Sequence, residues 1–599
     1  MKKRDFCIEV TLSVILFFVR AAATLTCCEA SDGKPLHYVT QISNVLSRGP
    51  ETIVDLQPFR RTASIRIKGP GSEEGSATLI NLNPNINAWY LLVLNWQGGP
   101  SEAYHLENPK PESQMLMLDS GYSSGPVIVQ GKNKFPCDLW VAPQESLKKA
   151  VRTGIPYASL CDGKLYLRNL TKGHRTSLEA VTDFLRDKVP GGEKIISTVR
   201  DSFFKYQYQK KAEEQTELAP REVTPGIKVY NRPSPALLGP GETKPIVKPD
   251  DLGIELDESA RGGIVPGFWY GAKGNPGIYI SVIMPNRISP EVMRSYSKVV
   301  NSLDGVESGG LVYLVAFDLN QFDLKFALGT DHPRVGWSAH IPDQMRDKNL
   351  PGPDGISTVS PLVSTGLINP VDSAKVAAAF TGGFKRVHGA FKYGTLSLIN
   401  HGSHYGFIEN GVQFSRLCPQ LSTLYILDNG HIEMKTWTAK DDTLLPRIRY
   451  ARQNGVPLIA GVDQVTGLSA PGDLVGRWGP GNWSGSEDTK LRTLRAGAGL
   501  QESRGSRFLI YAFFWSATPS AMARVFQAYG CRYAMHLDMN APVHTYLAIY
   551  RRQDASIYVE HLIRQMGDAD MTVKGQRVPR FLVTADDRDF FYMIRKEMR

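Results

Sequence analysis

Three short stretches in the C-terminal half of the 599-residue chain hold residue types that can do chemistry. The first is Thr381-Gly382-Gly383-Phe384, directly after the apolar run Lys375 to Phe380. Two adjacent glycines after a buried strand let the backbone turn tightly and expose amides that can hold a phosphate or a sugar hydroxyl; the plain alternative is an ordinary turn. The second is Arg495, set against the small residues Ala496-Gly497-Ala498-Gly499. A guanidinium on compact backbone suits a phosphodiester, which it grips through two parallel hydrogen bonds; the alternative is a surface arginine near a turn. The third is Asp538 with Asn540, a carboxylate and an amide at one strand end, fit for acid/base and positioning work or simply for capping a turn. No CxxC pair and no Cys/His spacing points to zinc, and neither a metal nor a cofactor is expected.

The elements that must carry these groups are legible around the third stretch. Arg507 to Trp515 is a continuous apolar run that predicts a buried strand, Thr518 is a helix N-cap, and Pro519 sits where the first turn needs no amide donor. Met522, Val525, Phe526 and Tyr529 form a helical stripe, Gly530 stops it, and Tyr533 to Leu537 is a second strand. The spacing predicts a strand-helix-strand unit with a right-handed crossover and parallel strands, with Asp538 at the carboxyl end where open α/β sheets place ligands. Gly277 to Met284 and Leu311 to Phe317 read as further strands, and Glu409-Asn410-Gly411 and Asp428-Asn429-Gly430 read as hairpin turns.

Upstream, Leu36 to Trp140 alternates short apolar runs with turn residues, as an antiparallel sandwich or barrel does. Thr176 and Glu179 form a capping box ahead of Leu178, Val181, Leu185 and Val189 on one helical face. Seven prolines lie between Pro220 and Pro249, a density that keeps backbone extended. A chain of this length exceeds what one core organises. The expected fold class is α+β: a β-rich, sandwich-like accessory domain with a helical tail over 36–204, a Pro-rich linker over 205–265, and a mixed α/β domain over 266–599.

Taken together and in order, these signals resemble the phosphodiester glycosidase family, whose members carry an Asn-Gly-Gly-Phe turn, an Arg-x-x-x-Gly segment, and a helix leading into an Ala-x-x-Leu-Asp strand end. The matching residues are Thr381 to Phe384, Arg495 with Gly499, and Ala534 to Asp538. A branch of the family is also similar around Lys385, His388-Gly389, Arg452-Gln453-Asn454, Trp478-Gly479, Asn540 and Arg588-Asp589-Phe590-Phe591, so the resemblance covers roughly Gly267 to Arg599. In two places the chain departs from the pattern. Thr381 replaces asparagine and loses the amide's paired donor and acceptor, and Met539-Asn540-Ala541-Pro542 replaces a run of glycines and a serine.

The resemblance implies hydrolysis of the bond between a sugar's anomeric carbon and a phosphodiester oxygen. It assigns Arg495 with the Gly382 and Gly383 amides to the phosphate, Asp538 to the base or nucleophile role, and His388 to proton transfer. Thr381, Arg452, Gln453, Asn454 and Asn540 are then substrate-binding, and Asp463 is a candidate second carboxylate. His388 also reads as a structural histidine, and Trp478 and Trp483 read as sugar-stacking rings or as packing anchors. The competing expectation is a non-catalytic glycan-binding protein of the cell envelope that keeps the cleft.

Lys2, Lys3 and Arg4, the apolar run Val10 to Val19 and Ala21 to Ala23 have the layout of a signal peptide, expected over 1–30. Ten apolar residues are too few to cross about 30 Å of hydrocarbon, so export without a membrane span is expected, to the periplasm, cell surface or medium. Apolar residues at 42% and charged residues at 21% exclude a wholly disordered chain or a bundle of membrane helices. Lysine and arginine number 69 against 59 acids, but the surplus is spread and forms no nucleic-acid motif, so the expected partner is a sugar phosphodiester or polysaccharide. Cys27 or Cys28 sits where a lipid-anchoring cysteine would. Cys137 with Cys161, and Cys418 with Cys531, are the possible disulfides, or all four are buried thiols.

Overall fold

In the computed structural model the described residues are 52–69, 73–141, 145–189, 232–243, 247, 249–257, 260, 263–333, 335, 354–386, 406–477, 492–553, 556–573 and 575–597. The expected leader with Cys27 and Cys28, His388, Trp478 and Trp483 lie outside them. All described residues belong to one compact unit.

The N-terminal part builds a six-stranded antiparallel sheet from β1 (Arg61–Lys68), β2 (Glu74–Asn81), β3 (Trp89–Trp96), β4 (Glu102–Glu107), β8 (Tyr157–Leu160) and β9 (Leu165–Arg168), in the order β1-β2-β3-β4-β9-β8. A three-stranded sheet, β5 (Met115–Asp119), β6 (Tyr122–Gln130) and β7 (Asn133–Pro136), shares its core. The apolar run in β3 lacks alternation because both faces are buried. Tyr90, Leu92 and Leu94 pack into the N-terminal core, while Trp89 and Leu91 pack into the main one. A Cys137–Cys161 disulfide clips this region, consistent with an oxidising compartment, whereas Cys418 and Cys531 are free thiols. Two helices follow, α1 (Ser146–Thr153) and α2 (Ser177–Lys188). From residue 232 the Pro-rich stretch is stitched to the C-terminal body, with Ala236 donating to Gly267 and Leu237 to Ala528.

The C-terminal part corrects the expected fold class. It is not a mixed α/β domain: its strands form antiparallel sheets, and every pairing between the named strands runs antiparallel. The largest sheet has eight strands: β10 (Tyr270–Gly271), β11 (Ile278–Ile283), β12 (Val312–Asp318), β20 (Ile459–Val462), β21 (Ser469–Pro471), β22 (Thr493–Ser503), β23 (Ser506–Ala517) and β24 (Tyr533–Met539). Helix α3 (Pro519–Ala528) joins β23 to β24, and those two strands do run parallel to each other. Between them lies β22, antiparallel to both and joined to β23 through Arg504-Gly505 at φ 49 and 80. This hairpin partner turns an apparent α/β unit into part of an antiparallel sheet.

The small residues of β22 are there for close packing. A Cβ on Gly497 would meet Met522 at 2.9 Å, and one on Gly499 would meet Cys531 at 3.0 Å, so α3 and Cys531 just past its end press directly on the strand.

A five-stranded sheet, β13 (Phe322–Ala327), β14 (Val376–Thr381), β25 (Leu547–Gln553), β26 (Ser556–His561) and β29 (Phe590–Arg595), packs against the large one. Phe380 of β14 lies 5.6 Å from Tyr511 and 5.5 Å from Phe591 at the centre of that interface. A further five-stranded sheet holds β15 (Phe407–Glu409), β16 (Val412–Ser415), β17 (Ser422–Leu427), β18 (Ile432–Thr436) and β19 (Ile448–Gln453), and the two Asn-Gly turns join β15 to β16 and β17 to β18. A small hairpin, β27 (Met571–Val573) with β28 (Gln576–Val578), completes the named strands. Among the described residues no helix is long and apolar enough to cross a membrane.

Candidate active site

Four chain segments meet where β14, β19 and β24 end and β29 begins. Thr381 closes β14, and Gly383 then takes φ 133 with its missing Cβ only 2.9 Å from the Asn454 side chain. That close approach lets Phe384 N donate to Asn454 Oδ1 at 3.1 Å, while Asn454 Nδ2 donates to the carbonyls of His536 and Leu537 in β24 at 2.7 and 3.0 Å. The glycine turn is thereby fastened to the strand that carries Asp538. On its other side Gly382 N donates to Asp589 O at 2.8 Å.

Asp538 is 5% exposed, accepts from Met539 N at 2.8 Å, and pairs with Arg588 Nη1 at 2.5 Å. Burial pushes its pKa above the usual aspartate value, against the pull of Arg588 and the backbone bond. Arg588 Nε in turn donates to Glu179 Oε1 at 2.8 Å. Glu179 comes from the first turn of α2, where its other oxygen accepts from Thr176 N and Oγ1 at 2.9 and 3.0 Å. Burial opposes its ionisation, but Arg588 and Arg580 hold it well below the usual carboxylate range.

His544 bridges Met539 O, 3.2 Å from Nδ1, and Glu179 Oε1, 3.4 Å from Nε2. Burial and Arg588 push it down to about 3, so it is neutral at neutral pH. A carbonyl only accepts, which assigns the proton to Nδ1.

The surrounding charges are locked in pairs. Asp586 takes Arg580 at 2.6 and 2.9 Å; Asp587 takes Arg175 at 2.7 Å and Lys385 at 3.2 Å; Asp589 takes Arg452 at 2.5 Å and His332 at 2.6 Å. The run Asp586-Asp587-Arg588-Asp589, which composition alone would place in solvent, is thus almost wholly buried. Burial raises Asp589, yet Arg452 and His332 more than offset it and bring it to about 2.

The sequence-derived residues fall into two sets. Asp538, Gly382 and Gly383 share this site. Arg452, Gln453 and Asn454 frame it from behind with fully buried side chains: Arg452 also donates to Phe384 O and Gln453 O, and Gln453 bonds Cys418 N and O, Gly406 N and Thr423 Oγ1. Thr381 Oγ1 donates to His544 O at 2.6 Å and so fixes that histidine's position. Arg495 is fully buried beside His536, with Nε on Ala517 O at 2.8 Å and Nη1 3.1 Å from His536 Nε2. Asn540 sits at φ 81, its Oδ1 accepting from Thr493 Oγ1 at 3.1 Å. Asp463 is a turn residue away from this cluster, accepting from Val465 N and Thr466 N. Sequence reading missed His544 and the double part of Glu179, whose only signal was its place in a capping box.

No family model and no curated protein matches the chain. Among solved structures it shows a weak likeness to the zebrafish N-acetylglucosamine-1-phosphodiester alpha-N-acetylglucosaminidase catalytic domain auto-inhibited by pro-peptide, with 9% identity over 58% of this chain and 96% of that one and a TM-score of 0.27. A protein of Burkholderia pseudomallei is similar at 8% identity over 50% of this chain and 76% of its own, with a TM-score of 0.21. A hypothetical protein from Synechocystis is similar at 11% identity over 85% of this chain and 97% of its own, with a TM-score of 0.24.

Proposed function

We propose that the protein is an exported member of the phosphodiester glycosidase family that releases a sugar from a sugar-1-phosphodiester in an envelope or extracellular glycan. The observation that carries the reading is Asp538: a buried strand-end carboxylate, raised by burial and held in place by one guanidinium, beside a glycine turn. In the reaction, Asp538 takes a proton from the attacking water, or attacks the anomeric carbon itself to form a glycosyl ester that water then hydrolyses. The bond from that carbon to the phosphate oxygen breaks, and its electron pair leaves with a phosphomonoester. Such a leaving group is stable as an anion and needs little general-acid help, so no second carboxylic acid is required beside Asp538. Arg588 aims the carboxylate, and Thr381 and Met539 aim His544 toward the same space.

The test is release of free sugar from a panel of sugar-1-phosphodiesters by the full chain and by Asp538→Asn. The reading expects release by the wild type and a loss of about a thousandfold or more in the variant. Saturable glycan binding with no release by either protein would instead make this a glycan-binding protein that has kept the cleft.

A further inference from the structure

A large cavity lies at the end of the β14 sheet that is turned away from Asp538. It sits where β14 begins and β29 ends, whereas the candidate active site sits where β14 ends and β29 begins. Val376 and Thr381 bound β14, so the two places are about 17 Å apart along that strand. Its other wall comes from the second five-stranded sheet: Ile426 and Leu427 at the end of β17, the Asn429-Gly430 turn, and Arg449 and Tyr450 at the start of β19. The cavity measures about 1600 Å³, against roughly 300–1,000 Å³ for a site that takes one small molecule. It is sized for an oligomer.

The charge of the wall is uneven. Lys325, Lys375, Arg449, Arg552, Arg595 and Lys596 line it, against Asp323, Asp372, Asp428 and Glu597. All four acids are engaged: Asp372 by Lys325 at 2.8 Å, Asp323 by Lys596 at 3.5 Å, Asp428 by Arg447 at 2.9 Å, and Glu597 by Lys375. Arg449 pairs with Glu112 at 2.7 Å, which leaves Arg552 and Arg595 with no acid partner among the described residues. Arg552 donates to Ser373 O; Arg595 donates to Pro276 O at 3.1 Å and lies 4.7 Å over the Phe322 ring. Burial lowers the pKa of Arg595 with no acid to offset it. Strand register gathers these cations. Ala378 of β14 faces Met593 of β29 on one side and Ile549 of β25 on the other, and Arg595 N donates to Lys375 O at 3.0 Å. Arg552, Lys375 and Arg595 therefore stand on three neighbouring strands, each about 4.8 Å from the next. Two buried donors in the wall, Asn275 Nδ2 and Arg449 Nε, also lack an acceptor.

A wall with surplus cations and spare donors calls for a ligand rich in acceptors. Asn320, Gln321 and Asn429 add amides able to pair with hydroxyls. The four acids repel a chain charged at every link, as a nucleic acid is, but accommodate one whose charges are separated by neutral, hydroxyl-bearing groups. We propose that this cavity is a second binding site, remote from the chemistry, for an anionic polysaccharide whose carboxylate or sulfate groups seat on Arg552 and Arg595. A guanidinium grips either group through two parallel hydrogen bonds. The inference stands apart from the hydrolase reading, since the cavity shares no residue with the site around Asp538.

The test is titration calorimetry of the full chain with four probes of matched length: a galacturonate hexamer, a heparin hexasaccharide, maltohexaose and a deoxythymidylate hexamer. Saturable binding of at least one anionic saccharide is expected, the galacturonate and heparin arms telling carboxylate from sulfate. Maltohexaose and the deoxythymidylate are expected to bind at least about tenfold more weakly. Arg552→Gln combined with Arg595→Gln is expected to weaken the saccharide by at least about tenfold, the loss of two charge-assisted contacts, while Asp538→Asn binds it as the wild type does. If the double variant does not fold, Arg552→Glu alone, at an exposed side chain that gives up one hydrogen bond to Ser373 O, is expected to weaken binding by about tenfold. No saturable binding of either anionic saccharide, equal affinity for maltohexaose or the deoxythymidylate, affinity untouched by the arginine variants, or affinity lost in Asp538→Asn would each overturn the proposal. Sugar release from a small sugar-1-phosphodiester is expected to be unchanged in the arginine variants, so a failure of the cavity and a failure of the hydrolase reading are read separately.

Discussion

Among the described residues, two of the buried clusters in which one arginine stands between two carboxylates are built for different ends. In the first, Arg168 lies between Glu107 at 2.5 Å and Glu409 at 3.6 Å, with its guanidinium 4.1 Å over the Trp89 ring. All three charged residues sit on strands, Glu107 in β4, Arg168 in β9 and Glu409 in β15, and backbone groups finish the pairing: Leu328 N donates to Glu409 and Arg168 Nε donates to Val363 O. In the second, Arg588 stands between Asp538 and Glu179, but Asp538 ends a strand beside a glycine turn and Glu179 rides on a helix with exposed apolar residues. The same charge pattern is a lock between sheets in one place and a joint between a helix and a strand end in the other. The elements that carry a buried ion pair, more than the pair itself, decide whether it can do chemistry.

The comparison can be broken most severely at the lock. Arg168→Met leaves two buried carboxylates facing each other and is expected to cost about 3–5 kcal/mol in chemical denaturation. A small loss there would show that the strands, not the charges, join the sheets.

The next effect is one of pH. Burial raises Glu409 to about 7, against Arg168 and the Leu328 amide. The folded state therefore holds this proton more tightly than the unfolded chain, so stability falls as pH rises from about 4.5 through 7, by on the order of 3 kcal/mol. Glu409→Gln is expected to flatten that slope in unfolding curves taken across the range.

At the site, Asp538 must be ionised to act as base or nucleophile, so its raised pKa places the acid limb of kcat/KM above the usual carboxylate range. Arg588→Lys keeps a charge but not both bonds, and is expected to move that limb upward by about one pH unit or less. An unmoved limb would detach Arg588 from Asp538.

The smallest effect is expected at Thr381. Thr381→Val removes the hydroxyl that bonds His544 O and is expected to cost about 1 kcal/mol of stability, read from the shift in denaturation midpoint.

What could be read from the residues depended on whether the signal was local. The Asn-Gly hairpins, the strand through Arg507 to Trp515, the Thr518 cap and the position of Asp538 all follow from neighbours in sequence, and they form as expected. β22 was not legible as a strand, because its alternation of alanine and glycine answers to α3 packing on it, a partner further along the chain. Missing it made the unit look α/β. Arg452, Gln453 and Asn454 look like a polar ligand set, yet each is saturated by backbone groups and acids from other segments. Glu179 lies 409 residues from Arg588, and no periodicity spans that distance.

The most direct measurement compares Asp538→Asn with Glu409→Gln, two neutralised buried carboxylates, for sugar release from a sugar-1-phosphodiester. The account predicts that Asp538→Asn loses turnover by about a thousandfold or more while Glu409→Gln retains it. Equal activity in the two folded variants, whether retained or lost, would contradict it.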